Sequence, residues 1–354
     1  MPIVSITDYT FPSLDIEESL IRAAGGELRS GNDEQVEALK RLAADADAVI
    51  TQFAPINAEV IGAVIGAMQR AKVIVRYGMG YDNVEVKAAR KRGIPVCNIP
   101  DYCIDEVADH TLAFILGTTR QVVPNTLHVR DGKWGQATPL DQLRTLRDQT
   151  VGIVGFGRIG REVAARLGPF KSRRLVFDAF VPADAIRTAG CEPVTLDDLL
   201  AQSDIVTLHC PSTPQTKKLL NASSIARMKP GSVVINLARG DLVDTAALVA
   251  ALQSGHLAGA AIDVCDPEPI PTDSPLRSLP NTIVASHIAS ASPKSVRTLR
   301  ETAARIAVMA LRGESLPNVV EVRRIRRRRC AADCSTVLHG TDSSTGDGPL
   351  SPRC

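Results

Sequence analysis

The sequence predicts an α/β protein built from two doubly wound parallel sheets, and three observations carry that expectation. Short apolar runs recur along the chain and alternate with amphipathic segments, the pattern of parallel strands joined by crossover helices. The later runs are mostly continuous rather than alternating, as expected of strands covered on both faces. The chain has 354 residues, enough for about two domains, and is 44% apolar and 23% charged, an ordinary globular balance.

In order, Ile3–Ile6 reads as a strand and Asp15–Ala24 as a helix stopped by Gly25-Gly26. Residues Asp33–Ala44 read as a second helix, Ala48–Thr51 as a strand, Ala58–Ala67 as a helix and Val73–Arg76 as a strand. Val84–Arg92 forms the next helix, ended by Gly93, and Ile94–Cys97 the next strand. Asp101–Val122 then carries Ile104, Val107, Ala108, Leu112, Ile115 and Leu116 at three- and four-residue spacing, which predicts a long amphipathic helix. Pro124, Gly132 and Gly135 mark a loop after it. A second series follows, with strands at Val151–Val154, Leu175–Asp178, Ile205–Leu208, Val233–Asn236, Ala260–Val264 and Ile283–Ala285, and a last helix at Lys294–Leu311.

Composition excludes several classes. Aromatic residues are 3%, too few for platforms that stack nucleic-acid bases. The net charge of +2 is split: residues 322–354 carry +4 and the body −2. No apolar run reaches the roughly 18 residues of a membrane span, and the first ten residues read as a strand rather than a signal peptide. Cys97, Cys103, Cys191, Cys210 and Cys265 are scattered without CxxC or metal-ligand spacing, so reduced thiols, a cytoplasmic location and no metal are expected. Residues 322–354 are rich in Arg, Ser, Gly and Thr and poor in apolar residues, which predicts a disordered basic tail. That tail reads as a genuine extension, as sequence beyond a natural end, or as a nucleic-acid-binding segment.

The sharpest motif is Val-Gly-Ile-Val-Gly-Phe-Gly-Arg-Ile-Gly at 151–160, where Gly155, Gly157 and Gly160 form GxGxxG between a strand and a helix. Gly155 permits the tight turn, Gly157 lets a pyrophosphate approach the backbone, and Gly160 lets the helix pack on the strand. The helix start, with Arg158 and Ile159, offers free N–H groups to phosphate. Asp178 closes the next strand 18 residues after Gly160 and suits a ribose 2′-hydroxyl. A carboxylate there repels a 2′-phosphate, so NAD is expected over NADP; Arg173 and Arg174 precede the strand's end and are discounted as a phosphate site.

Three further segments place chemistry at strand ends: INLARGD with Arg239, AIDVCDPEP with Asp263 and Glu268, and VASHIAS with His287. With RYGMGYDNV, HCPSTPQTKKLLN and MKPGSVVINLARGDLVD, the chain over about residues 3–320 resembles the D-isomer-specific 2-hydroxyacid dehydrogenases, in the branch with phosphoglycerate dehydrogenase and the C-terminal-binding proteins. The resemblance implies a nucleotide-binding Rossmann domain, 101–289, inserted into a flavodoxin-like substrate domain, 1–100 plus 290–320, with crossings near 99–103 and 287–292. It implies a homodimer through the nucleotide domain, with the long helix in the contact, and a small 2-oxo or 2-hydroxy acid as substrate. Membrane and nucleic-acid partners are not expected.

The roles follow residue by residue. Arg239 would hold the substrate carboxylate and carbonyl oxygen, which a forked, permanently charged guanidinium suits. His287 would exchange the proton of the carbinol oxygen, and Glu268 would hold the other imidazole nitrogen and fix the ring. Arg76 and the Gly78–Met79–Gly80 turn would meet the substrate anion through charge and backbone amides. Cys210 and Pro211 match a loop beside the adenine, and Asp263 matches a contact to the nicotinamide carboxamide. Trp134 suits a dimer contact, a lid or simple packing. The loops around Gln52–Ala54 and Arg76–Tyr81 would touch the substrate side chain.

Departures bear on activity. Glu268 stands where formate-using relatives carry an amide, which disfavours formate. No regulatory C-terminal domain of the long serine-pathway enzymes fits after Asn318. An NADH-binding corepressor of the C-terminal-binding-protein type is the alternative, but Ser290 stands where those proteins typically carry Trp, which favours an enzyme. A phosphite dehydrogenase would use the same three side chains.

Overall fold

The computed structural model describes residues 1–62 and 70–320. The expected disordered tail, 322–354, lies outside the described residues. Of the helix expected at 58–67, residues 58–62 form turns and 63–69 lie outside the described residues.

The first sheet is made of β1 (Ile3–Ile6), β2 (Glu27–Ser30), β3 (Ala48–Thr51), β4 (Ile74–Arg76) and β5 (Val96–Cys97), all parallel in the order β2-β1-β3-β4-β5. This is the flavodoxin-like order, with a switch point between β1 and β3. Helices α1 (Asp15–Ala23), α2 (Val36–Ala43) and α3 (Val86–Lys91) connect the strands. β2 was not anticipated. Its residues, ELRS, form a half-exposed edge strand with a single apolar side chain, so the apolar-run signal is absent there.

The chain then leaves the first sheet. Helix α4 (Ile104–Thr119) buries Val107, Ala108, Phe114 and Ile115 against the second sheet and packs on its first helix. The loop expected from Pro124 is instead a second helix, α5 (Val122–Arg130), entered through Gln121 in the left-handed conformation. Pro124 is tolerated because it stands in the first turn, where backbone N–H groups have no intrahelical partner anyway.

The second sheet contains β6 (Thr150–Val154), β7 (Arg173–Phe177), β8 (Glu192–Pro193), β9 (Ile205–Leu208), β10 (Ser232–Asn236), β11 (Leu257–Ile262) and β12 (Thr282–Val284). The order is β12-β11-β10-β9-β6-β7-β8, all parallel. Counted from β6 it is the Rossmann order extended by one strand, with its switch point between β6 and β9. Helices α6 (Arg158–Leu167), α7 (Ala183–Thr188), α8 (Leu196–Gln202), α9 (Ala222–Ala226) and α10 (Thr245–Gln253) complete the crossovers. Adjacent residues of one strand serve opposite faces: Ile205 belongs to the core under α4 and α6, Val206 to the core under α8 and α10.

Helix α11 (Pro293–Arg312) returns to the first sheet and packs on α1, β3 and β4. Its start is fixed by a capping box at Ser292, whose hydroxyl also donates to Glu106 of α4 at 2.6 Å. The outgoing and returning crossings are thereby tied together. A buried network anchors α11 deeper in the first lobe. Arg300 binds the fully buried Glu17 of α1 at 2.7–3.2 Å, and Tyr77 donates to the same carboxylate at 2.9 Å. Tyr77 follows β4 directly, so this network holds the loop that begins at Arg76.

Candidate active site

The glycine turn folds as its sequence requires. Gly155 has φ +96°, and a Cβ there would come within 2.7 Å of Cys210 N and the His209 carbonyl carbon. Only glycine fits that conformation and that approach. Gly160 presses on the Gly155 carbonyl, which seats α6 against the turn. Gly157 is the N-cap of α6, has no capping side chain, and faces open space where a Cβ would stand. The α6 N-terminus is therefore a bare anion site at the switch point of the sheet. Ile159 packs into the core behind it, and Arg158 is paired with Asp101 at 2.6 Å.

Asp178 directly follows β7. Its carboxylate accepts the N–H groups of Phe156 (2.7 Å), Phe180 (2.8 Å) and Val181 (3.0 Å). A carboxylate has about four acceptor positions, so one remains toward a ribose hydroxyl. Neither nearby arginine is a free phosphate ligand: Arg173 is paired with Glu192, and Arg174 donates to the Ala164 and Gly190 carbonyls. These residues fit a dinucleotide without a 2′-phosphate. Cys210 and Pro211 follow β9 across the switch point, Cys210 half-buried and Pro211 exposed.

His287 and Glu268 come together as expected. His287 Nδ1 donates to Glu268 Oε1 at 2.6 Å, which leaves Nε2 as the nitrogen available to a ligand. His287 sits at φ +56°, in the left-handed region. Asp263 stabilises that backbone. It is buried, its carbonyl accepts from His287 N–H at 2.8 Å, and its carboxylate accepts the N–H groups of Ile288 and Ala289, both at 2.9 Å. Both carboxylate oxygens thus serve the His287 loop, a use the sequence did not reveal.

Arg239 follows β10 and leans toward the first sheet. Its Nε donates to Asp82 at 2.6 Å and its Nη1 to the Ala238 carbonyl at 2.6 Å, while Nη2 lies where a Gly80 Cβ would be. Arg76, at the end of β4, lies in the same way against Gly78. Burial and the neighbouring Arg239 push the Arg76 pKa down to about 10, and its Nε is buried without a partner. Two guanidiniums thus converge on one loop with a single carboxylate, Asp82, bonded to one of them. The backbone amides behave unevenly. Gly78 N–H is spent on the Arg76 carbonyl at 2.8 Å, whereas those of Met79 and Gly80 have no partner among the described residues. Met79 packs against the core of the second lobe.

Phe53, after β3, completes the cleft. Its ring is 6.2 Å from the His287 ring and 5.9 Å from the Arg76 guanidinium. Buried Asp8, after β1, holds it there by accepting the N–H groups of Gln52 and Phe53 at 2.9 and 2.5 Å. The carboxyl ends of β1, β3 and β4 therefore oppose those of β10 and β11. Sequence reasoning quoted Asp82 inside a motif without a role and missed Asp8, whose use depends on a loop 44 residues away.

Residues 112–289 match the D-isomer specific 2-hydroxyacid dehydrogenase, NAD binding domain. The chain is 39% identical over 287 residues to a glyoxylate reductase of Korarchaeum cryptofilum, covering 80% of this chain and 85% of that one. It is 35% identical over 325 residues to the D-3-phosphoglycerate dehydrogenase of Mycobacterium tuberculosis, covering 91% of this chain but 59% of that one. The D-lactate dehydrogenase of Aquifex aeolicus, solved with NAD and lactic acid, superposes with a TM-score of 0.77 at 28% identity, covering 88% and 96% of the two chains. The chain belongs to the D-isomer specific 2-hydroxyacid dehydrogenase family, NAD-dependent oxidoreductases acting on CH–OH groups.

Proposed function

We propose that the protein reduces a small 2-oxo acid to its D-2-hydroxy acid, and catalyses the reverse, in the cleft between the two sheets. The observation that carries this is the convergence of a polarised imidazole, His287–Glu268 at 2.6 Å, with two guanidiniums from opposite lobes. NAD(H), when bound at the α6 N-terminus, would supply or accept the hydride. Arg239 binds the carboxylate and carbonyl oxygen through its free N–H groups and draws charge from the carbonyl carbon. His287 Nε2 gives its proton to the carbonyl oxygen in reduction and takes it back in oxidation. Glu268 keeps the ring oriented and stabilises it when it carries charge. Arg76 and the Met79 and Gly80 amides take the outer anionic end, and the unpaired Arg76 Nε favours substrates with a full carboxylate or a second anionic group. Gly155, Gly157, Arg158, Ile159 and Gly160 would hold the pyrophosphate, Asp178 the ribose, Cys210 and Pro211 the adenine, and Asp263 the nicotinamide, beside its hold on the His287 loop.

Residues 1–100 and 290–320 form the substrate domain and 101–289 the nucleotide domain in this reading. The separate sheets at 3–97 and 150–284 support it. A homodimer through the nucleotide domain was expected to use the long helix, now α4; the exposed apolar face lies instead on the next helix, α5, which buries no residue, while Val122, Leu127 and Val129 stand about half exposed and Trp134 is 91% exposed. A cytoplasmic location is supported by the free thiols of all five cysteines in the described residues. Among those residues no helix is long and apolar enough to cross a membrane.

The test is NADH oxidation with glyoxylate, hydroxypyruvate, pyruvate, phenylpyruvate and phosphohydroxypyruvate. Turnover is expected on at least one acid. Arg239→Ala and His287→Ala are expected to lower kcat/KM by roughly 100-fold or more while NADH binding is kept. Normal turnover in either variant would sink the assignment.

A further inference from the structure

We infer that Asp82 is the positioning residue of Arg239, a carboxylate on the substrate lobe that aims the arginine of the nucleotide lobe at the substrate. The inference rests on the site reading above. The pair joins residues 157 positions apart, and among the described residues it is the one ion pair between residues 1–100 and residues 150–284. Its geometry is selective. Asp82 Oδ2 takes the Nε–H at 2.6 Å, and the Ala238 carbonyl takes one Nη1–H at 2.6 Å. A guanidinium carries five N–H donors, so three stay free, one on Nη1 and two on Nη2, enough for a two-pronged carboxylate contact. Gly80 makes the approach possible, because a Cβ there would overlap Arg239 Nη2 and come within 3.1 Å of Asp82 Oδ2.

Charge balance points the same way. Arg76 and Arg239 repel each other across the loop, and Asp82 is a carboxylate whose field offsets that repulsion. Bonded at Nε rather than across both Nη groups, it leaves the substrate-facing edge open. Arg239 is thus fully aimed only while loop 77–85 of the first lobe stands against it, which couples closure of the cleft to readiness of the binding group.

The test uses the full chain with NADH bound. Asp82→Asn keeps an acceptor oxygen but removes the charge, and Asp82→Glu keeps the charge but lengthens the arm. Both are expected to lower kcat/KM for the preferred 2-oxo acid by roughly 10- to 100-fold, chiefly through KM. Binding of oxamate, a non-reducible analogue, should weaken by the same factor in NADH fluorescence. NADH affinity should match wild type, which a merely structural residue would not allow. In an Arg239→Lys background, which lacks the Nε–H, Asp82→Asn should cost less than about twofold in oxamate affinity. Unchanged kcat/KM, tighter oxamate binding, or an equal cost in both backgrounds would each overturn the inference while leaving the proposed reaction intact. A wild-type protein that reduces no 2-oxo acid would overturn both.

Discussion

Arg76 shows what a single residue gives up for binding. Arg76 is half-buried, its Nε is sealed from solvent without a partner, and desolvation and the neighbouring Arg239 push its pKa down to about 10. A cation whose folded pKa lies below its unfolded value destabilises the fold while it is charged. The folded state therefore gains stability as pH rises above about 10. At neutral pH the protein bears this cost in full, and in the proposed reading an anionic substrate relieves it. Arg76→Met is accordingly expected to melt at or above the wild-type Tm at pH 7.5, yet to raise KM for the 2-oxo acid by roughly tenfold or more. Thermal melts beside steady-state rates check this; a Tm several degrees lower would make Arg76 a structural cation instead.

At the scale of elements, legibility followed burial. Strands covered on both faces, such as β9 and β10, announce themselves as apolar runs and were read to within a residue. Edge strand β2 is half exposed and reads as loop. Helix α5 buries no side chain fully, so its apolar residues mark no inward stripe and the proline and glycines around it read as loop. The glycine turn was legible from local spacing, and the His287–Glu268 pair only through the family resemblance that the chain's short motifs carry. The partners of Arg239 and Phe53 were not, because Asp82 and Asp8 act across 157 and 45 positions and leave no local pattern. The same holds for α1 and α11, joined by Arg300 and the fully buried Glu17. Removing the cation would leave a buried carboxylate with only the Tyr77 hydroxyl and apolar walls. Arg300→Met is expected to cost about 3–5 kcal/mol in urea unfolding, and a loss under about 1 kcal/mol would mean the pair is screened like a surface bridge. Because Tyr77 adjoins Arg76, the variant should also weaken substrate binding before it weakens NADH binding.

The whole molecule poses the question of what covers α5. Every other long helix buries a stripe against a sheet, but α5 stands off the core and presents Val122, Val123, Leu127 and Val129 outward, with Trp134 and Leu140 exposed just beyond. Single exposed apolar residues are common, but a contiguous set on one element marks a contact surface. A second copy is the occupant the proposed function favours, since a twofold interface needs only one self-complementary patch. The wild-type chain is therefore expected to run at twice its 37.8 kDa in light scattering. The paired change Leu127→Asp with Val129→Asp should bring it to the single mass, because two buried carboxylates facing two more cannot be solvated. NADH affinity should survive, because none of the residues assigned to the nucleotide, the 155–160 turn and Asp178 among them, lies on α5. If the wild-type protein runs at the single mass, α5 is not a self-contact. If the doubled mass persists in the variant, the interface lies elsewhere. Loss of both the doubled mass and NADH binding would instead show that the second copy supports the nucleotide site itself.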